Sequence, residues 1–291
     1  MTHCSVVMSV FNGQGYLVEA IQSVLKQSYS DFELVIIDDC STDGSLQMIR
    51  SFTDSRIRLI QNDKNLGLAA SLNKGVKESK GKYIARMDAD DVMLEDRLQC
   101  QMNFLSNNPN IKLCGSFAIQ IDENSLEHGL IKSPSGLHLE FAKWIPSPLI
   151  HPTVVVLRDL LLENPYDESL KAAQDYDLWL RLIMKGVGIY NLDVPLLKYR
   201  VHDKSITKSK LEKQSLNAYK SFVKHTNLNK ITYKSFLSFC LQNYDYSLLQ
   251  RFSDGLLVRK RLKLSLFGMW INQCRYFLFK YLIRKKNQVK L

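Results

Sequence analysis

The sequence predicts an α/β protein: a mostly parallel central sheet flanked by helices, followed by a C-terminal basic helical extension. Three observations carry this. Apolar runs and amphipathic stretches alternate through the first hundred residues, the pattern of a parallel sheet with crossover helices. Acidic turns close two of the apolar runs, at the strand ends where such sheets bind ligands. The charge also divides sharply. Residues 1–203 carry 20 Lys and Arg against 26 Asp and Glu, whereas residues 204–291 carry 19 against 3, so a part of net charge −6 precedes one of +16.

Cys4 to Val10 reads as a buried strand. From Tyr16 to Gln27, Leu17, Ala20, Ile21, Val24 and Leu25 recur at helical spacing. Phe32 to Ile37 is a second strand, running into the capping-rich turn Asp38-Asp39-Cys40-Ser41-Thr42-Asp43-Gly44. A helix through Leu46, Ile49 and Phe52 follows, then a strand over Arg56–Gln61, a helix over Leu66–Glu78 and a strand over Lys82–Met87. Further on, a helix over 95–106, a strand near Ile111–Ile121, a helix near Asp175–Lys185 and a strand over Val194–Val201 are expected, with a proline-interrupted stretch between 134 and 152.

Composition narrows the class. Hydrophobic residues at 45% and charged residues at 23% suit a packed core rather than a disordered chain. No run approaches the roughly 20 apolar residues of a membrane-spanning helix, and Met1–Val10 lacks the features of a signal peptide. Six scattered cysteines without a CxxC argue against a zinc site or disulfide framework and fit a reducing, cytoplasmic setting.

Four motifs carry chemistry. Asp88-Ala89-Asp90-Asp91 crowds three carboxylates onto a strand-ending turn, where a hard divalent cation such as Mg²⁺ or Mn²⁺ offsets their repulsion. The competing reading is an acidic loop with Asp91 capping a helix. Asp38-Asp39 ends another buried strand, where Asp39 could accept from a nucleotide base or ribose; turn capping is the alternative. In Gln174-Asp175-Tyr176-Asp177 the two acids open a helix. One of them could take a proton from an attacking hydroxyl, or both could be caps. Tyr199-Arg200-Val201-His202 closes a strand; His202 could complete a metal shell and Arg200 could contact phosphate.

Taken in order, these segments resemble glycosyltransferase family 2, whose GT-A fold is Rossmann-like. Ser5 to Asn12 is similar to its opening strand, and Ser28 to Ser45 to its nucleotide-binding segment. Asn65-Leu66-Gly67, Gly81 to Ile84 and the DxD motif at Asp88–Asp91 follow in the family's order. Gln174-Asp175 stands where the family usually has Glu-Asp, and Tyr199 to His202 resembles its closing strand. The match spans residues 3–206.

The resemblance implies roles. Ser9, Phe11 and Asp39 would hold the nucleotide, Asp88 the ribose or metal region, and Asp90 the metal bridging the diphosphate. Asp175 would be the general base, and His202 a further metal or diphosphate contact. Phe11 stands where Tyr is common, losing a hydroxyl but keeping a stacking ring, and Gln174 removes a charge beside the base. A catalytic domain over 1–203 is expected, with a nucleotide-binding half to about 95 and an acceptor half from about 96. The activity implied is inverting transfer from a nucleotide sugar, UDP-sugar first, to a hydroxyl of a lipid-linked or polysaccharide acceptor. The processive members' QxxRW motif and membrane-spanning helices are lacking, so one sugar per encounter is expected.

The extension over 204–291 holds an amphipathic stretch. Phe267, Trp270, Ile271, Cys274, Phe277, Leu278 and Tyr281 share one helical face, bracketed by Arg259-Lys260-Arg261 and Arg284-Lys285-Lys286. This suits an interfacial helix on an anionic membrane, placing the enzyme peripherally on the inner face; packing against the catalytic domain is the other reading. No nucleic-acid motif accompanies the charge. Two other functions fit part of the pattern. A nucleotidyltransferase would need a Gly-rich N-terminal signature that Asn12-Gly13-Gln14-Gly15 matches poorly. A non-catalytic scaffold would have no use for Asp39, Asp88, Asp90 and Asp175.

Overall fold

The computed structural model describes residues 3–133, 148–202 and 211–226, together with Thr232, Tyr233 and Phe236. The aromatic face at Phe267–Tyr281 lies outside them.

Strands β1 (Cys4–Val10), β2 (Phe32–Asp38), β3 (Ile57–Gln61) and β4 (Tyr83–Asp88) pair in parallel in the order β3-β2-β1-β4. Helices α1 (Leu17–Leu25), α2 (Ser45–Arg50) and α3 (Leu68–Glu78) make the crossovers. Alternation along each strand sends side chains to two cores. Val6, Met8, Val10, Leu34 and Ile36 meet Leu17, Ala20, Ile21 and Val24 of α1 on one face. Val7, Val35 and Ile37 meet Ala69, Leu72 and Val76 of α3 on the other. Each fully buried Val, Leu, Ile or Met side chain among them contributes roughly 1.5–3 kcal/mol. The fit against α3 is close: a Cβ on Gly75 would lie 2.5 Å from Val7 Cγ1 and 2.6 Å from Ile37 Cδ1.

Beyond β4 the sheet becomes mixed. The short β8 (Val155–Leu157) runs antiparallel to both β4 and β6 (Ile111–Ile121). The long β9 (Gly188–Arg200) runs parallel to β6, and β5 (Val92–Met93) is antiparallel to β9. Strand β7 (Glu127–Ile131) forms a hairpin on β6. The expected parallel pairing therefore holds for the first four strands, while the second half mixes both kinds. Two- and three-residue strands such as β5 and β8 are too short to leave a period in the sequence.

Helices α4 (Arg97–Asn107), α5 (Arg158–Glu163) and α6 (Gln174–Met184) complete this half. Helix α6 is buried on two sides. Leu178, Trp179, Leu182 and Ile183 join the core beneath the sheet. Tyr176 and Leu180 instead pack with Ala218, Phe222 and Phe236. Ala218 and Phe222 belong to α7 (Leu211–Thr226), so the first described helix past residue 203 docks on α6. No helix among the described residues is long and apolar enough to cross a membrane.

Candidate active site

The carboxyl ends of β1, β2 and β4 converge. Ser9 is in register with Ile37 on one side and Asp88 on the other. The loops after β1 and β2 are laced together. Asn12 Oδ1 accepts from the Thr42 N–H at 2.8 Å, and the N–H groups of Asn12 and Gly13 donate to Ser41 Oγ and Ser45 Oγ. The Gln14 N–H donates to Asp43 Oδ2, and Gln14 Oε1 accepts from the Gly44 N–H. Phe11, at the head of this lacing, is 51% exposed, which leaves a ring face open for stacking.

Asp39 is buried and organises the wall opposite. Its Oδ1 accepts from Asn62 Nδ2 and the Leu66 N–H, and its Oδ2 from the Gly67 N–H, each at 2.8 Å. A carboxylate has about four acceptor positions, and three of them are taken by these donors. The sequence left these partners unread; the motif Asn65-Leu66-Gly67 is the segment they shape.

The acidic turn brings Asp88, Asp90 and Asp91 together, with one oxygen of each within 4.8 Å of the others. Asp91 is 1% exposed. Its Oδ1 accepts from the Arg200 N–H at 2.8 Å, and its buried Oδ2 has no hydrogen-bond partner among the described residues. Burial, with Asp90 and Asp88 alongside, pushes Asp91 well above the usual carboxylate range. Burial also raises Asp88, although Arg86 pairs with it and opposes the shift. An orphaned carboxylate oxygen in a cluster of three is the donor set a hard divalent cation takes.

Of the three residues expected to hold a metal, Asp88 and Asp90 lie in the carboxylate cluster, which Asp91 joins. His202 stands beside the cluster, with Nε2 3.0 Å from Asp90 Oδ2, and its ring lies 5.3 Å from that of Tyr16. Arg200, expected to reach phosphate, braces the turn from behind, its side chain 1% exposed. Its Nε donates to the Asp90 carbonyl at 2.7 Å, and its Nη1 to the Asp122 carbonyl and Ser125 Oγ at 2.9 Å. Its Nη2 pairs with Glu19, and the guanidinium lies over the Tyr16 ring. Little of it is left for a phosphate.

Asp175 opens α6, half-buried, in the first turn where the helix dipole favours a carboxylate. Burial raises its pKa; its local backbone N–H groups and the Arg86 charge counter part of that. Arg86 is the residue that sequence reasoning missed. Buried in β4, it pairs with Asp88 and its charge also acts on Asp91, Asp175 and His151. A charged residue in mid-strand gives no sign of burial in the sequence. Three non-glycine residues with positive φ adjoin this site: Asn12 (54°) after Phe11, Cys40 (62°) after Asp39, and Ala173 (59°) before Gln174 and Asp175. Such backbone strain concentrates at functional sites.

The profile described as Glycosyl transferase family 2 matches residues 5–162. An uncharacterized glycosyltransferase of Methanocaldococcus jannaschii is 35% identical over 227 residues, covering 76% of this chain and 78% of that protein. The UDP-Glc:alpha-D-GlcNAc-diphosphoundecaprenol beta-1,3-glucosyltransferase WfgD of Escherichia coli is 31% identical over 209 residues, covering 72% and 81%. Among solved structures, S. aureus TarS 1–349 in complex with UDP matches with a TM-score of 0.65 at 20% identity, over 93% of this chain and 78% of that one. The mannosyltransferase PcManGT from Pyrobaculum calidifontis in complex with GDP-Man and Mn²⁺ matches with a TM-score of 0.60 at 14% identity, over 97% and 86%. At such identity the structural likeness speaks for the fold, which is GT-A. With the ordered motifs and the acidic cluster in place, the chain belongs to glycosyl transferase family 2 and is a glycosyltransferase.

Proposed function

We propose that this glycosyltransferase moves one sugar per encounter, with inversion, from a UDP-sugar to a hydroxyl of a lipid-linked or polysaccharide acceptor. The observation that carries this reading is the acidic cluster of Asp88, Asp90 and Asp91 with its orphaned buried oxygen, electrostatically linked to Asp175 on the facing helix. Asp88, Asp90 and Asp91 would hold Mn²⁺ or Mg²⁺, which supplies positive charge to a departing nucleoside diphosphate. His202 orients the Asp90 carboxylate. Phe11 stacks on the base, Asp39 accepts a hydrogen bond from it, and Ser9 lines the floor beside Asp88. Asp175 takes the proton from the acceptor hydroxyl as it attacks, and burial, which raises its pKa, makes it a stronger base.

The choice of UDP draws on the relatives. WfgD is named for UDP-Glc and a diphosphoundecaprenol-linked acceptor, and TarS 1–349 was solved with UDP and with UDP-GlcNAc. PcManGT, solved with GDP-Man and Mn²⁺, keeps a guanosine donor in the comparison. We further infer that the basic extension holds the enzyme peripherally on the inner face of the cell membrane. Its charge supports this, as do the exposed Lys213, Lys220 and Lys224 of α7.

A thermal-shift panel tests the donor. UDP-glucose, UDP-GlcNAc, UDP-galactose and GDP-mannose are compared with and without Mn²⁺. At a ligand concentration of 100 Kd, binding stabilises by about 2.7 kcal/mol, a readable rise in melting temperature. A Mn²⁺-dependent rise with a UDP-sugar is expected. A rise with GDP-mannose alone would replace the donor, and no rise with any would overturn the reading.

A further inference from the structure

Helix α7 grips the strained turn that presents Asp175, and we propose that its Asn217 and His225 are positioning residues for that carboxylate. The proposal rests on Asp175 being the base. Ala173 is the N-cap of α6 at φ 59°, a left-handed conformation for a residue with a side chain. Such a residue persists only where its surroundings over-determine it. Helix α7 supplies those surroundings. Asn217 Nδ2 donates to the Ala172 carbonyl at 3.0 Å, fixing the peptide that leads into Ala173. Ala173 itself packs in a cluster with Ala218 and Phe222.

The grip is repeated on the other side of Asp175. His225 Nε2 lies 2.8 Å from Asp177 Oδ1, while Arg181 Nε donates to Asp177 Oδ2 at 2.9 Å. The Asp177 side chain is 2% exposed, so neither contact is a solvated surface pair. Asp175 thus stands between two points, the 172–173 peptide and Asp177, that are both held by α7. The helix lies past residue 162, where the family match ends, and past the expected domain boundary. Its amphipathic pattern suits a brace: Ala218, Ser221 and Phe222 face inward, and Lys213, Lys220 and Lys224 outward.

The test uses the full chain. Asn217→Ala and His225→Leu are compared with wild type in three readouts: hydrogen exchange at the 173–177 amides, UDP binding with Mn²⁺, and turnover of the donor chosen by the panel. Misplacing a catalytic group by about 1 Å can cost ~10²-fold in rate, so turnover should fall by about 10- to 100-fold. Exchange at 173–177 should quicken by at least about tenfold as the turn loosens. UDP affinity should stay within about twofold, since its contacts lie on other elements. His225→Gln, whose amide can still donate to Asp177, should recover most of the rate. If His225→Leu does not fold, Asn217→Ser carries the same comparison. Unchanged exchange and turnover would overturn the proposal, as would turnover and UDP binding falling together. Asp175→Asn is run in parallel. If it keeps wild-type turnover, the base assignment fails, while the exchange data still report on the brace by themselves.

Discussion

His202 Nε2 sits 3.0 Å from Asp90 Oδ2, and two residues earlier Arg200 Nε donates to the Asp90 carbonyl at 2.7 Å. The end of β9 therefore holds Asp90 by side chain and by backbone. Asp91 is held there too, through the Arg200 N–H. This clamp holds two of the three carboxylates in place against their mutual repulsion, and Arg86 pairs with the third, Asp88.

If that cluster holds the metal, Asp90→Ala abolishes the Mn²⁺-dependent part of UDP binding. His202→Gln has a milder effect, because loss of an orienting partner typically weakens metal affinity by about 10- to 100-fold. Titrating UDP at several Mn²⁺ concentrations separates the two. Full Mn²⁺ enhancement in Asp90→Ala would place the metal elsewhere.

Asp175→Asn keeps the shape of the base and removes its ability to take a proton. Turnover should drop by ~10²–10⁴ with donor binding nearly intact. Steady-state kinetics beside UDP titration check this; near-wild-type turnover removes Asp175 from the role.

Arg200→Met should destabilise the fold by about 2–4 kcal/mol, because the Asp90 and Asp122 carbonyls and Glu19 lose a buried partner. Arg200→Lys should recover little, since an ammonium cannot fork to several acceptors at once. Urea unfolding measures both. A variant as stable as wild type but unable to bind UDP would restore the phosphate role expected from the sequence.

The contrast between these residues shows what the sequence carries. The first four strands and three helices were legible because each buried face repeats over five residues or more, as in Leu34 and Ile36 against Val35 and Ile37. The carboxylates of the site were legible because three acids on one turn are conspicuous. Their partners were not. Arg200 read as a phosphate contact and Arg86 went unread; what tells bracing from ligand contact is pairing that the sequence does not show, of Arg200 to Glu19 across 181 residues and of Arg86 to Asp88 beside a buried core. Asp39 was visible as a strand end, but the three donors that fold the 62–67 segment around it were not.

His151 predicts a pH dependence of stability. It is buried with Nε2 2.9 Å from Tyr166 Oη, and burial, reinforced by the Arg86 charge, holds its pKa well below 6.5. The folded state thus resists a proton that the unfolded chain accepts. The stabilisation is complete above about pH 6.5 and is lost as pH falls below it, at up to about 1.4 kcal/mol per unit. His151→Gln should flatten that part of the curve between about pH 5 and 6.5. Urea unfolding of both proteins across this range is the measurement. Parallel curves would assign the acid sensitivity to other groups.

The extension gives the last prediction. Residues 204–291 carry a net charge of +16, and the spacing of Phe267, Trp270, Phe277 and Tyr281 predicts a shared helical face. Helix α7 already divides the work: its apolar face meets α6, and Lys213, Lys220 and Lys224 are left outward. Each Lys or Arg near an anionic bilayer contributes roughly 1 kcal/mol, and salt screens that contribution. The aromatic face adds a salt-insensitive part of about 25 cal/mol per Å² buried. Binding to vesicles containing anionic phospholipid should therefore weaken at high salt without vanishing, and neutral vesicles should bind less. Trp270→Glu combined with Phe277→Glu should release the protein while leaving its melting temperature and Mn²⁺-dependent UDP binding unchanged. If that variant unfolds, the face is core packing. Equal binding to neutral and anionic vesicles would mean that the basic clusters serve something other than lipid.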